Sequence, residues 1–558
     1  MIRTRGVWIE EGKSLGGSIQ EVAKPKRRYK VNIVKVIRCT VIACVAIALP
    51  TGILFGSAAN NTLVIARPVD ALSIDTLLDT TSAGTWVFAN INEPLIDLNH
   101  DMEYEPLLAA SWEFVEPTRL RFNLREGIAF HDGTPFDAHA VKFTFDRGLF
   151  GEPKAQWASL GASVITGVEV VDDYTVDILT DAPFGPILRV MSMRYLGIVS
   201  PAAVEKYGEE YGRHPSGTGP FKFVEWKTND RIVLEANEDY WQGRPALDKV
   251  IFRVIPEESS RMASLRTGEV DLVMKPSPAE LPTFAGDSNF AVYETPGLSV
   301  FFIAFNLDYP PMDDIRVRHA IAHAIDRESI MEHVLEGAAA PASTSILAPG
   351  VFGFYGQDIN QQYPYDKKKA IELLNEAGWI DQDGDGVLEK NGKGLVLPAL
   401  PCNGRFLRDL EVAEVVEAQL REVGIRIELQ VFEWATVFNK LRSADFPYAF
   451  MTVAWNTTTV DADYTFYALF NSAGVPPDGW NLFRYANAEV DDLIRLGQVT
   501  VDQDKRAAVY ARAEAILAAD APYVSVYVNK NVSVASADVE GFRLHPVEYN
   551  LILYPVHF

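Results

Sequence analysis

Between residues 217 and 274 the hydrophobic and polar positions spell out an α/β layer. Gly217-Thr218-Gly219-Pro220 is a breaker cluster. Residues 221–226 and 231–236 then form two strand-like runs, split by Thr228-Asn229-Asp230. An aromatic loop follows, from Asn237 through Tyr240-Trp241 to Gly243, and 247–255 is β-branched and alternates. The spacing predicts a short helix over 257–267, with Met262 and Leu265 inward and Gly268 as its stop. Residues 270–274 predict another strand. These strands are too apolar to stand without a covering layer.

The same two periods recur along the chain. Strands are predicted at 62–67, 107–112, 120–125, twice within 164–180 around Asp172-Asp173, and at 300–306, 425–432, 448–454 and 523–528. Helices are predicted at 82–92, 138–145, 201–207, in two pieces across 313–336, and at 365–378, 408–423 and 503–519. Thr295-Pro296-Gly297 is expected to interrupt the chain before the 300–306 strand.

Candidate chemistry is thin. A phosphate loop needs a helix directly after its glycines, and here Pro220 and a strand follow. His131-Asp132 sits in a turn cluster with no nucleophile in the pattern. His319 and His323 have i, i+4 spacing, but Ala320 stands where a zinc protease needs glutamate. They read as solvent-facing, away from the stripe of Val317, Ile321 and Ile325. Asp381-Gln382-Asp383-Gly384-Asp385-Gly386 opens like a calcium loop, yet its twelfth position is Gly392 rather than a bidentate glutamate, so it reads as an acidic turn. No metal site, cofactor or catalytic residue is expected. A secreted hydrolase is the enzymatic alternative, and no Gly-x-Ser-x-Gly elbow or HExxH supports it.

At 558 residues, 48% of them hydrophobic, the chain has material for more than one core. Its net charge of −24 argues against nucleic acid as a partner. The first 59 residues are basic, so the remainder is more acidic still. Lys24, Lys26, Arg27, Arg28, Lys30, Lys35 and Arg38 precede an apolar run over 39–55 and small residues at Gly56-Ser57-Ala58. This predicts an export signal within residues 1–58, cleaved near Ala58, and a periplasmic protein. A lipid attached at Cys44 or an uncleaved anchor are the alternatives. Cys402 is then the one cysteine of the body, which leaves no internal disulfide.

Three long blocks together resemble a known family: LAASWEF…LRFNLREGIAFHDGTPFDAHAVKFTFDR, GTGPFKFVEW…NDRIVLEANEDYWQGRPALDKVIFRVIPEESSRMASLRTGEVDLV and VRHAIAHAIDRESIMEHVLEGAAAPASTSILAPG. They are similar to family 5 extracytoplasmic solute-binding proteins of ABC importers, the receptors for peptides, nickel and oligosaccharides. The resemblance covers nearly everything after residue 61. It implies an α/β fold of the periplasmic-binding-protein type II, with two lobes closing about a hinge and an additional β-rich domain. Lobe I would be 61–105, 217–296 and 525–558, the β-rich domain 106–216, and lobe II 297–524. Thr295-Pro296-Gly297 and the region near Pro522 are the hinge candidates.

The implied role is delivery of a small solute or short peptide to an ABC permease pair with cytoplasmic ATPases, by a monomer without catalysis. The alternatives are a non-peptide solute such as an oligosaccharide, an opine-like compound or a metal chelate, and a sensor reporting to a membrane kinase. In peptide-binding members a Trp followed three residues later by Asp holds the peptide's ammonium. Here Trp455 matches, but Thr458 stands at the Asp position. Either Asp461 or Asp463 takes over, or the ligand has no free α-ammonium. Arg405, between a strand-like run and a long helix, is the candidate for a ligand carboxylate.

Overall fold

The computed structural model describes residues 61–151 and 153–558, so the expected export signal lies outside the described residues. An eleven-stranded mixed sheet runs through the molecule. Its order is Arg426–Leu429, Val396–Pro401, Phe450–Asn456, Phe290–Phe305, Tyr523–Ser536, Leu272–Met274, Thr62–Arg67, Lys249–Val254, Arg231–Ala236 and Phe221–Lys227. Ala339–Pro341 also pairs with Tyr523–Ser536. Both ends of this sheet carry helices, giving two α/β lobes.

The two central strands belong to both lobes. They pair antiparallel from Phe290↔Ser536 to Ala304↔Tyr523, with a long register break between Pro296 and Val300 and a second irregularity between Phe301 and Phe302. Near one end Leu272–Met274 joins them through Ser533 to Ala535. At the other, Phe450–Asn456 joins them along Ser299 to Phe305. Alternate residues of Phe290–Phe305 go to opposite cores. Phe301, Ile303 and Phe305 enter the cluster that contains Val317, Ile321 and Val416, while Val300, Phe302 and Ala304 enter the one that contains Phe466 and Phe483. With both faces buried, this part of the strand is a continuous apolar run rather than an alternating one.

Thr295-Pro296-Gly297 therefore does not end a strand. It lies inside a sixteen-residue strand, at its register break. The last long strand also continues well past the predicted 528, through the polar Asn529-Lys530-Asn531 to Ser536. Pro522 sits just ahead of that strand, where its carbonyl accepts the Phe305 N–H, away from the register break. The helices Trp434–Leu441, Ala462–Phe470 and Ala488–Val499 were not anticipated from the pattern.

A separate four-stranded antiparallel sheet, in the order Ala109–Glu116, Arg119–Leu124, Thr175–Thr180 and Ile165–Asp172, forms the β-rich part. Helix Ala138–Leu149 packs on it, started by Asp137, whose side chain accepts the Ala140 N–H at 3.0 Å. The two sequence blocks that frame this part meet at one buried carboxyl. Glu93 accepts from Thr218 Oγ1 (2.7 Å), Tyr240 Oη (2.6 Å) and Trp241 Nε1 (3.0 Å). Burial pushes its pKa up, against those hydrogen bonds.

Beside it, His131 Nε2 donates to the Gly219 carbonyl at 2.9 Å, and the His131 N–H donates to the Gly217 carbonyl at 2.9 Å. Burial holds this imidazole down to about 4, so it is neutral and structural. A Cβ on Gly217 would stand 2.1 Å from the Ile91 carbonyl oxygen, and one on Gly219 would stand 2.7 Å from that of Asn90. The glycines of the breaker cluster are there for backbone contact, not for an anion.

Glu514, on helix Gln503–Asp520, is a second buried carboxyl. It accepts from Ser345 Oγ and from the Tyr355 N–H, and burial pushes its pKa from 4.5 up to about 7. Below 4.5 both folded and unfolded chains keep this proton. As pH rises towards 7 only the unfolded chain releases it, so stability falls through that window and stays lower above it. Glu514→Gln is expected to abolish this loss, worth at most about 3 kcal/mol. Urea denaturation of both proteins from pH 4.5 to 8 checks it; a difference between them that does not change with pH would contradict the assignment.

Candidate functional site

Where the two long strands cross between the lobes, they floor a cavity of about 820 Å³. Gly297, Leu298 and Ser299 come from one strand, and Asn529 to Ser533 from the other. Gly297 lies against its neighbour so closely that a Cβ would be 2.8 Å from Asn531 Oδ1. Asn531 in turn donates to the carbonyls of His545 (3.1 Å) and Pro546 (2.8 Å), which ties the C-terminal segment to the floor. One wall includes Thr80, Thr81 and Ser82 at the start of helix Ser82–Phe88, with Lys275, Glu548 and Tyr549. The facing wall includes Arg405, Phe406, Leu407, Asn456 and Thr458.

Most charges in the cavity are already matched. Lys275 Nζ lies 2.7 Å from Glu548, which also accepts from Ser82 Oγ at 3.1 Å. Lys530 reaches Glu294 and the Gly337 carbonyl, both at 2.9 Å. Arg405 differs. Its loop is locked by the buried Asp409, whose carboxylate accepts the N–H groups of Gly404, Arg405 and Phe406, each at 2.9 Å. Its guanidinium lies over the rings of Phe406 (5.7 Å) and Trp434 (5.5 Å) and has no carboxylate partner among the described residues. A cation held out on a fixed loop, facing a cavity, is suited to an anionic group of a ligand.

The sequence-derived candidates divide. Arg405 and Thr458 line the cavity together. Thr458 is half-buried, its carbonyl accepting from Tyr549 Oη at 2.9 Å. Trp455 is half-buried next to that wall. Its ring stacks on Tyr464 at 5.7 Å, meets Trp480 edge-on at 5.9 Å and donates through Nε1 to Thr465 Oγ1 at 3.1 Å. Asp461 is fully buried and taken by Arg506 through both oxygens, one contact at 2.8 Å. It also caps helix Ala462–Phe470 by accepting the Asp463 N–H at 2.9 Å. Asp463 is buried too, and its pKa is pushed up to about 7 by burial and then by Asp461. The carboxylates expected to meet a ligand ammonium are thus turned into the protein rather than into this cavity.

Lys275, Glu548, Lys530 and the Asn529/Asn531 pair were missed from the sequence. The signal for the last three was present, as three polar residues interrupting a β-branched run.

Two other expectations resolve differently. His319 and His323 are half-buried rather than solvent-facing. Each ring sits on a carbonyl, Ala519 at 3.1 Å and Pro364 at 2.8 Å, with Tyr363 packed against both. In the acidic turn Glu389, not the residue at position twelve, folds back beside Asp381, Asp383 and Asp385, leaving one oxygen of each within 4.8 Å of the others. Those carboxylates also accept the turn's own N–H groups, for example Gly384 to Asp381 at 2.7 Å.

The Asp461–Arg506 pair makes a stability prediction. Asp461→Asn strands a fully buried guanidinium and is expected to cost about 3–5 kcal/mol in chemical denaturation. A loss below about 1 kcal/mol would show that the pair is not the clamp it resembles.

Residues 103–476 match the family described as bacterial extracellular solute-binding proteins, family 5. The oligopeptide-binding protein AppA of Bacillus subtilis (strain 168) is 31% identical over 433 residues, which is 76% of this chain and 78% of AppA. The glutathione-binding protein GsiB of Salmonella paratyphi A is 28% identical over 498 residues, 88% of this chain and 94% of GsiB. Among solved structures, HbpA2 from Haemophilus parasuis superposes with a TM-score of 0.80 at 25% identity, over 89% of this chain and 99% of that one. With its two lobes, its β-rich part and the cavity at the strand crossing, the chain belongs to family 5 of the bacterial extracellular solute-binding proteins.

Proposed function

We propose that this protein captures a peptide or peptide-like solute outside the cytoplasm and delivers it to an ABC permease pair driven by cytoplasmic ATPases. It acts as a periplasmic monomer, exported by the signal in residues 1–58, and leaves its ligand chemically intact. The observation that carries this reading is the 820 Å³ cavity floored by two strands shared between the lobes. Such a cavity closes when ligand contacts both walls, and the closing free energy comes from contacts made only in the closed state. The hinge is the register break from Pro296 to Val300, opposite Val528 to Lys530. Lobe I is assigned to 61–105, 217–296 and 525–558, the β-rich domain to 106–216, and lobe II to 297–524. The names of AppA and GsiB, an oligopeptide and a glutathione receptor, support a peptide-like ligand.

Within that class the ligand presents an anionic group to Arg405. Its other end, near Thr458, is not anchored by Asp461 or Asp463. Trp455 shapes that wall through Tyr464. A non-peptide solute such as an oligosaccharide, an opine-like compound or a metal chelate is the second reading, favoured by the hydroxyl at Thr458 where peptide-binding members carry a carboxylate.

Mass spectrometry of compounds released from purified protein identifies the solute. With that solute, small-angle scattering is expected to show a smaller radius of gyration, and an unchanged radius would reject closure. Calorimetry is expected to show Arg405→Gln weakening binding by about tenfold or more, roughly 1.4 kcal/mol. Thr458→Asp is expected to weaken an anionic or neutral ligand. Tighter binding by Thr458→Asp would instead reveal a ligand ammonium at that end.

A further inference from the structure

Apart from the main cavity, a much smaller one of about 50 Å³ lies where the β-rich part meets the second lobe. Gly161, Phe184, Pro186 and Arg189 come from one side, and Thr459, Asp461, Asp463 and Tyr464 from the other. Three buried side chains lining it have polar atoms without partners: Nε and Nη1 of Arg189, Oγ1 of Thr459 and Oδ1 of Asp463. Their residues are only 5%, 7% and 9% exposed. Buried polar atoms are almost always paired, so four unpaired ones on three residues that line one space point to an occupant.

Charge says what kind. Arg189 donates through Nη2 to the Met102 carbonyl at 3.3 Å and lies over the rings of Tyr104 (4.7 Å) and Phe352 (5.8 Å). It has no ion-pair partner among the described residues. Asp461 is already neutralised by Arg506. The remaining carboxyl, Asp463, is driven towards its neutral form by burial and by Asp461. Water satisfies the hydrogen bonds but brings no charge, and an Asp463 carboxyl held towards its neutral form supplies only part of a counter-charge to the buried guanidinium.

We propose that this cavity binds one small monovalent anion, chloride or the carboxylate group of a small acid, held by Arg189 and Thr459. The volume has room for one such group. Arg189 supplies two N–H donors and Thr459 a hydroxyl donor; a neutral Asp463 carboxyl supplies another. The occupant joins the β-rich part to the second lobe just behind Tyr464, which stacks on Trp455 beside the main cavity. This site is independent of the identity of the transported solute.

The test uses the exported full chain in isethionate buffer, with chloride, bromide or formate titrated in at constant ionic strength. The thermal midpoint is expected to rise saturably with the small anions, and the half-saturation concentrations for chloride and formate tell which source the site prefers. Thr459→Val is expected to raise the half-saturation concentration by about threefold or more, and Arg189→Met to abolish the response. Asp463→Asn, which keeps a neutral side chain, is expected to retain it. If Arg189→Met does not fold, Thr459→Val and Asp463→Asn still decide. A crystal grown in bromide is expected to show anomalous density within hydrogen-bond reach of Arg189 and Thr459. Water alone at that position overturns the proposal, as does an equal, non-saturating response to all salts. Bromide bound without any effect of Thr459→Val on the stability response would mean an adventitious ion only. Loss of the response in Asp463→Asn would show instead that an ionised Asp463 takes part.

Discussion

The pairing of Phe290–Phe305 with Tyr523–Ser536 is the constraint on which the molecule depends. Two strands far apart in sequence run side by side through both lobes, and each lobe builds its part of the sheet on a different stretch of them. Within the second lobe they are held hard. Side chains leave both faces into separate cores, and Phe301 stacks on Tyr527 with ring centroids 4.7 Å apart. At the crossing the ladder shifts register, and the facing residues change to Asn529, Lys530 and Asn531. Apolar packing gives way there to polar groups facing a cavity. The ladder is irregular at two steps, Pro296/Val300 and Phe301/Phe302, and the cavity lies at the first.

Buried polar groups do the remaining alignment. Glu93 collects donors from Thr218, Tyr240 and Trp241, while the neighbouring His131 binds the backbone of the Gly217 turn, so the β-rich part is registered against the first lobe. Asp461 and Arg506 do the equivalent work inside the second lobe, fixing the start of helix Ala462–Phe470 behind the cavity wall. Such groups add little net stability over an apolar core, but they tolerate few alternative arrangements, because any other would strand a charge or a donor. The small polar cavity at Arg189 extends the same logic to the third contact, between the β-rich part and the second lobe.

In the main cavity, the matched pairs and the unmatched Arg405 have different uses. Lys275 with Glu548, and Lys530 with Glu294, cancel two of the cavity's positive charges within the protein. Arg405 stands on a loop whose backbone N–H groups are already bonded to Asp409, so the protein itself orders the loop.

Local periodicity determined most of the elements. Residues 201–207, 221–226, 231–236 and 503–519 were legible because their local pattern matches the structure they form, and Gly268 fell at a real helix end. The long blocks around GTGPF and HDGTPF carried the family and with it the lobed architecture. Tertiary structure decided what neighbours do to one another. Thr295-Pro296-Gly297 looks like a terminator, yet pairing with the last strand carries the chain straight through it. Asp461 looks like a ligand carboxylate until Arg506, 45 residues later, folds onto it. Lys275 and Glu548 have no sequence signal at all, since only the fold brings the two together across 273 positions. Periodicity reports which face of an element is buried. It is silent on which distant charge or strand will meet that face, and the cavity between the lobes is made of those meetings.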